Sequence, residues 1–185
     1  MAYQSWSVVF EEQPSVAKWN ILGSNDASFN DGTGIGASAI TPEKLLASTG
    51  TSWVWQSWTP SWTNLTIGNA TVDAKYVQIG KMVVFRLKMT WGSTTSATGS
   101  GVRFSVPVTM NSAYADNDIF CTGTMLDTGV AAYLGGARWG TSTTLDALCY
   151  TAGGTYVGHG NVTSTAPFTW ANGDKLFVAG AYEAA

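Results

Sequence analysis

By type, the residue best suited to move a proton is His159, in "YVGHGNV", the chain's one histidine. Its flanking glycines predict a loop, and nothing beside it in sequence would orient or activate the ring. A glycosidase needs two carboxylates on either side of one bond. Asp116, Asp118, Asp127, Asp146 and Asp174 are the acids from which such a pair would come. They are spread along the chain and could meet only by folding. Most stand at predicted turns, where Asp bonds its own backbone. No G-x-S-x-G elbow, phosphate-cradling loop or H-E-x-x-H helix occurs. The expectation is therefore no catalytic residue and no enzyme.

Oxygen ligands for a hard cation cluster in "SNDASFNDGTG", as Asn25, Asp26, Asn30 and Asp31, and again in "ADNDIF", as Asp116 and Asp118. The first run lacks the EF-hand spacing and its closing glutamate. Turn chemistry accounts for both, so no metal and no cofactor are expected. Cys121 and Cys149 each sit in a strand-like run. They are read as buried free thiols, since a disulfide needs a proximity that sequence does not show.

Aromatic side chains are the remaining candidates for contact. Trp53, Trp55, Trp58 and Trp62 crowd "WVWQSWTPSW", and Trp91 follows. They either plug the end of a sandwich or pack between subunits, because aromatics suit interface cores. Tyr133, Trp139, Tyr150 and Tyr156 sit in or near runs of Gly and Thr. There they either fill core or stack on sugar faces, with Asn and Thr as hydrogen-bonding neighbours. Tyr133, Trp139, Tyr156 and His159 form the candidate ligand set, and the loops expected to present it are 92–100, 128–140 and 151–166.

These residues need a frame, and the frame reads as strands. In "KMVVFRLKMTW", Val83, Phe85, Leu87, Met89 and Trp91 alternate with Val84, Arg86, Lys88 and Thr90. Period two of that length predicts a half-buried strand. With 71–79 before it and Gly80 between, it predicts a tight antiparallel hairpin. Further strands are expected at 62–68, 101–108, 119–127, 131–139, 143–150 and 175–182, with Pro107 marking a strand end. Turn residues separate these runs at roughly 8–12-residue spacing, the habit of a sandwich or barrel. The fold class expected is mostly β: an antiparallel β-sandwich, jelly-roll-like, with about eight strands.

Residues 1–50 differ in character. Ser15 could cap a short helix that Gly23 stops, and "ITPEKLLAS" reads as a second, with Thr41 as N-cap and Pro42 at the first helical position. The boundary is placed near residue 50, giving an N-terminal segment 1–50 and a β domain 51–185. The length, 185 residues, suits one domain plus an extension. Charged residues are only 11% and the net charge is -3, with Lys and Arg scattered. Phosphate neutralisation by a basic run is therefore not expected, and with it nucleic-acid binding. No apolar stretch is long enough to span a bilayer. "MAYQSWSVVFEEQPS" does not read as a secretory signal. The sequons at Asn64, Asn69 and Asn161 matter only on a eukaryotic secretory route.

The stretch "AKWNILGSNDASFNDGTGI", followed by Ile40, Pro42, Glu43 and Leu45, resembles a connecting segment of bacteriophage tail fibre and minor tail proteins of actinobacterial-type hosts. The matching positions are Trp19, Asn20, Leu22, Gly23, Asn25, Asp26, Phe29, Asp31 and Gly32. "WTNLTIGNATVDAKYVQIGK", the run "GSTTS", the strand "FSVP" and the ending "PFTWANGDKLFVAGAYEAA" are similar to the C-terminal domain of the same proteins. The resemblance implies a homotrimeric virion surface protein, made in the host cytoplasm and released by lysis. It also implies a receptor-binding knob for host cell-surface glycan. Trp6, Trp19, Leu22, Phe29, Ile35 and Leu45 would then be buried around a threefold axis or against other virion proteins. Three sites on one knob would raise avidity above single-site affinity. The rival readings are a capsid or tail decoration with a purely structural role, and an enzyme that degrades envelope polysaccharide.

Overall fold

The computed structural model describes residues 54–115 and 118–185. The chain divides into two units, Met1–Gly50 and Thr51–Ala185, and every described residue belongs to the second. The expectations for Trp6, Trp19, Leu22, Phe29, Ile35 and Leu45, for both short helices, and for Trp53 and Asp116 lie outside the described residues.

Twelve strands follow in order: β1 (Gln56–Ser57), β2 (Trp62–Thr63), β3 (Leu65–Thr66), β4 (Thr71–Ile79), β5 (Met82–Thr90), β6 (Ser96–Ala97), β7 (Arg103–Ser105), β8 (Ile119–Asp127), β9 (Ala131–Thr141), β10 (Thr144–Thr151), β11 (Gly158–Asn161) and β12 (Lys175–Glu183). Every pairing between them is antiparallel. There is no helix among the described residues.

The β4–β5 hairpin is the one the alternation predicts. Its register runs unbroken from Thr71↔Thr90 to Ile79↔Met82. Gly80 takes φ 59° at the first position of the two-residue turn, where a glycine-first hairpin loop needs a positive φ. Val83, Phe85, Leu87, Met89 and Trp91 all point into the core. The other phase, Val84, Arg86, Lys88 and Thr90, faces outward, half-buried or exposed.

From β5 the sheet passes through β12, β8 and β9 to β10. The far edge of β10 is shared: β7 pairs with Thr144–Asp146 and β11 with Leu148–Thr151. The opposite edge is β4, covered by β1. One continuous run, 56–63, then ties the two edges together. Trp58 N donates to Ala74 O at 3.1 Å, its indole Nε1 reaches Ser105 O at 3.3 Å, and Ser105 N donates to Ser61 O at 2.9 Å. β2 then pairs with β7. Pro60, which has no N–H to pair, lies between β1 and β2, where the run changes partner. The middle of the β4 edge, from Ala74 to Tyr76, is thereby covered.

The curled sheet encloses one core, sandwich-like. Leu145, Ala147 and Cys149 of β10 meet Phe104, Val102, Met125, Leu176 and Val178 there. Strand glycines allow the curl. A Cβ on Gly135 would lie 2.2 Å from Leu148 O and 2.5 Å from Met125, and one on Gly180 would lie 2.3 Å from the Cβ of Cys121. A register shift between Ile119 and Cys121 sits beside Gly180. Glycines and bulges of this kind mark bends in closed sheets.

Several expectations are adjusted. The run 62–68 is not one strand, because Asn64 turns at φ 62° and separates β2 from β3. The strand expected at 101–108 is shorter and ends at Ser105, before Pro107. The count rises from about eight because β1, β3, β6 and β11 are short pieces whose residues alternate over too few positions to register as a period.

Candidate binding surface

The strand directions sort the loops to two ends. β1 enters beside Tyr76 and runs toward Lys75, so the described chain arrives at the end of the sheet that holds the Gly80–Lys81 turn and the C-terminal Ala184–Ala185. The opposite end holds the turn 128–130, the excursion 152–157 and the start of 92–100. Of the three expected loops, 128–140 is corrected: only its first residues are a turn, and the rest is strand β9, Ala131–Thr141, as the strand expected at 131–139 has it. Within 151–166, Gly158–Asn161 is strand β11.

The far end is held from beneath. Asp174 is buried and accepts backbone N–H bonds from Thr128 at 2.9 Å and Ala171 at 2.6 Å. Thr128 Oγ1 donates to Gly173 O at 2.8 Å, and Trp91 N donates to Asp174 O at 2.7 Å. The carboxylate thereby pins two turns, and the main-chain oxygen of the same residue holds the start of a third, the structural work expected of a turn aspartate. Asn69 pins the next loop: its N donates to Thr94 Oγ1 and its Oδ1 accepts from Thr94 N, both at 2.9 Å. Under these turns runs a file of rings. Trp91 stacks on Trp170 at 4.4 Å, Trp170 meets Phe168 at 4.5 Å, and Phe168 meets Tyr133 at 5.3 Å.

That file decides where the candidate ligand residues stand. Tyr133 and Trp139 lie in β9, not in loops, and both rings pack against the core. Trp139 also meets Tyr114 at 6.2 Å. Tyr156 does stand in a loop and is 86% exposed. His159 is exposed too, but in β11, paired with Tyr150. The structure thus brings Tyr156 and His159 to the same hairpin and turns Tyr133 and Trp139 inward.

Sequence reading missed the aliphatic company of the exposed pair. Val130 is 77% exposed, Val157 72% and Leu134 71%. Leu134 follows Tyr133 on β9 and so takes the outer face. Extending the β9–β10 register by one residue from Gly135↔Cys149 sets Leu134 beside Tyr150. His159, Tyr150 and Leu134 therefore form one outer row across three neighbouring strands, spanning about 10 Å. The outward placing of Leu134 was legible from the period of the strand expected at 131–139, but its neighbours Tyr150 and His159 come only from the pairing of the strands.

Below this row lies an ion cluster. Arg103 of β7 bonds Asp146 of β10 through Nε to Oδ1, and through Nη2 to Oδ2 at 3.2 Å. Arg138 of β9 approaches Oδ2 at 3.9 Å and gives Nη2 to Asn161 Oδ1 at 3.3 Å. The Asp146 hydrogen bond pushes the Arg103 pKa up, so that guanidinium is held charged. Asp146 sits mid-strand, and its carboxylate braces three strands and β11 rather than standing beside a second acid.

Both thiols are free and buried. Burial pushes Cys121 up to about 12 and also raises Cys149. Neither is poised as a nucleophile, which would need a lowered pKa. Among the described residues no group of three or more His, Cys, Asp or Glu gathers to hold a metal. No helix of the described residues is long and apolar enough to cross a membrane.

No protein-family model matches this sequence, and no curated protein or solved structure matches it significantly.

Proposed function

We propose that the chain is a phage virion surface protein of the tail-fibre, receptor-binding kind. In this reading it acts as a homotrimer whose β unit, jelly-roll-like in its strand spacing, is the knob. The observation that supports it is the placing of Tyr156, Val157, Leu134 and Val130 at the end of the unit opposite the chain's entry. A free protein in water gains nothing by exposing such side chains together. Tyr156, Tyr150 and His159 supply rings and polar edges for a sugar, and Leu134 an apolar shoulder. The motifs resembling tail fibre proteins favour the same reading.

A structural decoration role is the second reading, favoured by Val130 and Leu134, which offer no hydrogen bonds and suit a protein surface better than a glycan. One experiment separates the two. Purified protein is sized by light scattering and mixed with intact host-type cell walls and with walls stripped of glycan. A trimer that pulls down with intact walls only, and loses this with Tyr156→Ala plus His159→Ala, fits the receptor reading. A trimer that binds neither wall removes it in favour of decoration. A monomer overturns the trimeric account of residues 17–46.

A further inference from the structure

The scattered lysines and arginines of the sequence do not stay scattered. On the outer face of β4, β5 and β12 the register sets Lys75 beside Arg86, and Asp73 beside Lys88, which is in turn beside Phe177. Lys175, two residues before Phe177 on the same strand, shares that face. Four cations thus gather about Asp73, and the one other carboxylate of this face, Glu183, stands at its opposite end beside Met82, in a chain whose net charge is -3. Arg86 takes the Asp73 carboxylate at 2.7 Å. Two of the lysines add to this: the Arg86 hydrogen bond, then the charges of Arg86, Lys75 and Lys88, hold Asp73 below the usual carboxylate value. Among the described residues Lys75, Lys88 and Lys175 make no salt bridge. In their midst Phe177 is 39% exposed, although its neighbours Leu176 and Val178 are fully buried.

We propose that this face, Lys75, Arg86, Lys88 and Lys175 around the Phe177 ring, is a docking surface for an anionic polysaccharide. The charge excess selects a polyanion, since like charges on one face repel one another until a counter-charge arrives. The ring selects a chain with flat apolar faces as well as charge. The face is also continuous with the candidate site. Phe177 pairs with Thr124, Thr124 with Leu134, and the same row runs on to Tyr150 and His159. A polymer lying across the strands would meet cations at one end of the row and the exposed tip at the other, over roughly 25–30 Å. The inference goes beyond the receptor reading, because it specifies the charge of the ligand and does not need the tip.

The test uses the full chain with dextran sulfate, uncharged dextran and a single-stranded oligonucleotide as probes, at low and at high salt. Dextran sulfate should bind at low salt and be released as salt rises, and uncharged dextran should bind far more weakly. Each of Lys75→Gln, Lys88→Gln and Lys175→Gln should weaken it about two- to fivefold, and the triple variant at least about tenfold. Lys81→Gln, an exposed cation in the hairpin turn at the other end, should leave affinity unchanged. Phe177→Ala should weaken the sulfated chain and abolish what binding the uncharged one has. An equal loss with Lys81→Gln overturns the proposal, because attraction would then be general. So does the absence of dextran sulfate binding at low salt. Oligonucleotide binding as tight as that of dextran sulfate, lost in the same triple variant, would reassign the face to nucleic acid. The tip variants Tyr156→Ala and His159→Ala should keep dextran sulfate binding, so failure of the receptor reading and failure of this one give different results.

Discussion

Two hairpins of this molecule are built on opposite plans. β4–β5 closes through Gly80 and Lys81 alone and keeps its register from end to end. β10–β11 opens through 152–157, every residue of which is exposed, and pairs only from Leu148 to Thr151. In the first, the inner phase of β5 is buried throughout in the core. The second ends in Tyr156 and Val157, held over water. The difference teaches where this chain concentrates its stability and where it keeps surface for contact: a rigid inner sheet carries a loosely closed tip.

The largest test of that contrast is Phe85→Ala. Phe85 is fully buried and meets Trp58 edge-on at 6.2 Å and Tyr182 at 5.9 Å. Its removal should cost about 3–5 kcal/mol, read as a lower urea midpoint with an unchanged slope. A loss under about 1 kcal/mol would mean that β5 is not the centre of stability.

The two cysteines report the same contrast locally. Cys121 is sealed in β8, with its thiol pushed up to about 12. Cys149 belongs to the open hairpin, and its thiol lies 3.7 Å from Gly160 O across the β10–β11 pairing. Opening the tip should free Cys149 while Cys121 stays covered. With a small alkylating reagent in native buffer, Cys149 should react at least about tenfold faster, equivalent to about 1.4 kcal/mol in opening energy. Equal rates would show that the sheet opens only as a whole.

A gentler pair of changes addresses the turns. Gly80→Ala meets nothing within 4 Å of the new Cβ, so its cost is conformational alone. Forcing φ 59° on alanine should cost about 1–2 kcal/mol. Adding two glycines between Gly153 and Gly154 should cost less, about 0.5 kcal/mol, because loop closure grows slowly with length. Similar losses in thermal melts would erase the distinction between a closed turn and an open one.

How much of this was readable beforehand follows from period and from separation. β5 announced itself because Val83 to Trp91 alternate without a break, and β8 was placed residue for residue at 119–127. β11 was not, since Gly158, His159 and Gly160 look like a turn until Tyr150 and Cys149 pair with them. Tyr133 and Trp139 fall within the strand expected at 131–139, yet their neighbours Gly135, Gly136 and Gly140 also suggest a loop there. Those glycines instead let strands approach closely, with Gly136 against Cys121 O. The basic face was invisible for a plainer reason. Lys75, Arg86, Lys88 and Lys175 are far apart in sequence, and only the pairing of β4, β5 and β12 collects them.

The smallest stability effect belongs to the tip, and it separates contact from folding most cleanly. Tyr156→Ala with Val157→Ser removes two side chains that are 86% and 72% exposed. Neither residue is part of the core cluster, so unfolding should shift by no more than about 0.5 kcal/mol. Capture by intact cell walls should nevertheless fall sharply, since exposed rings on a rigid frame are where recognition energy concentrates. If walls are captured as before, the tip is not the contact and the open hairpin needs another explanation. If the variant loses several kcal/mol of stability, the tip is buttressing the sheet, and the division between a structural hairpin and a contacting one fails.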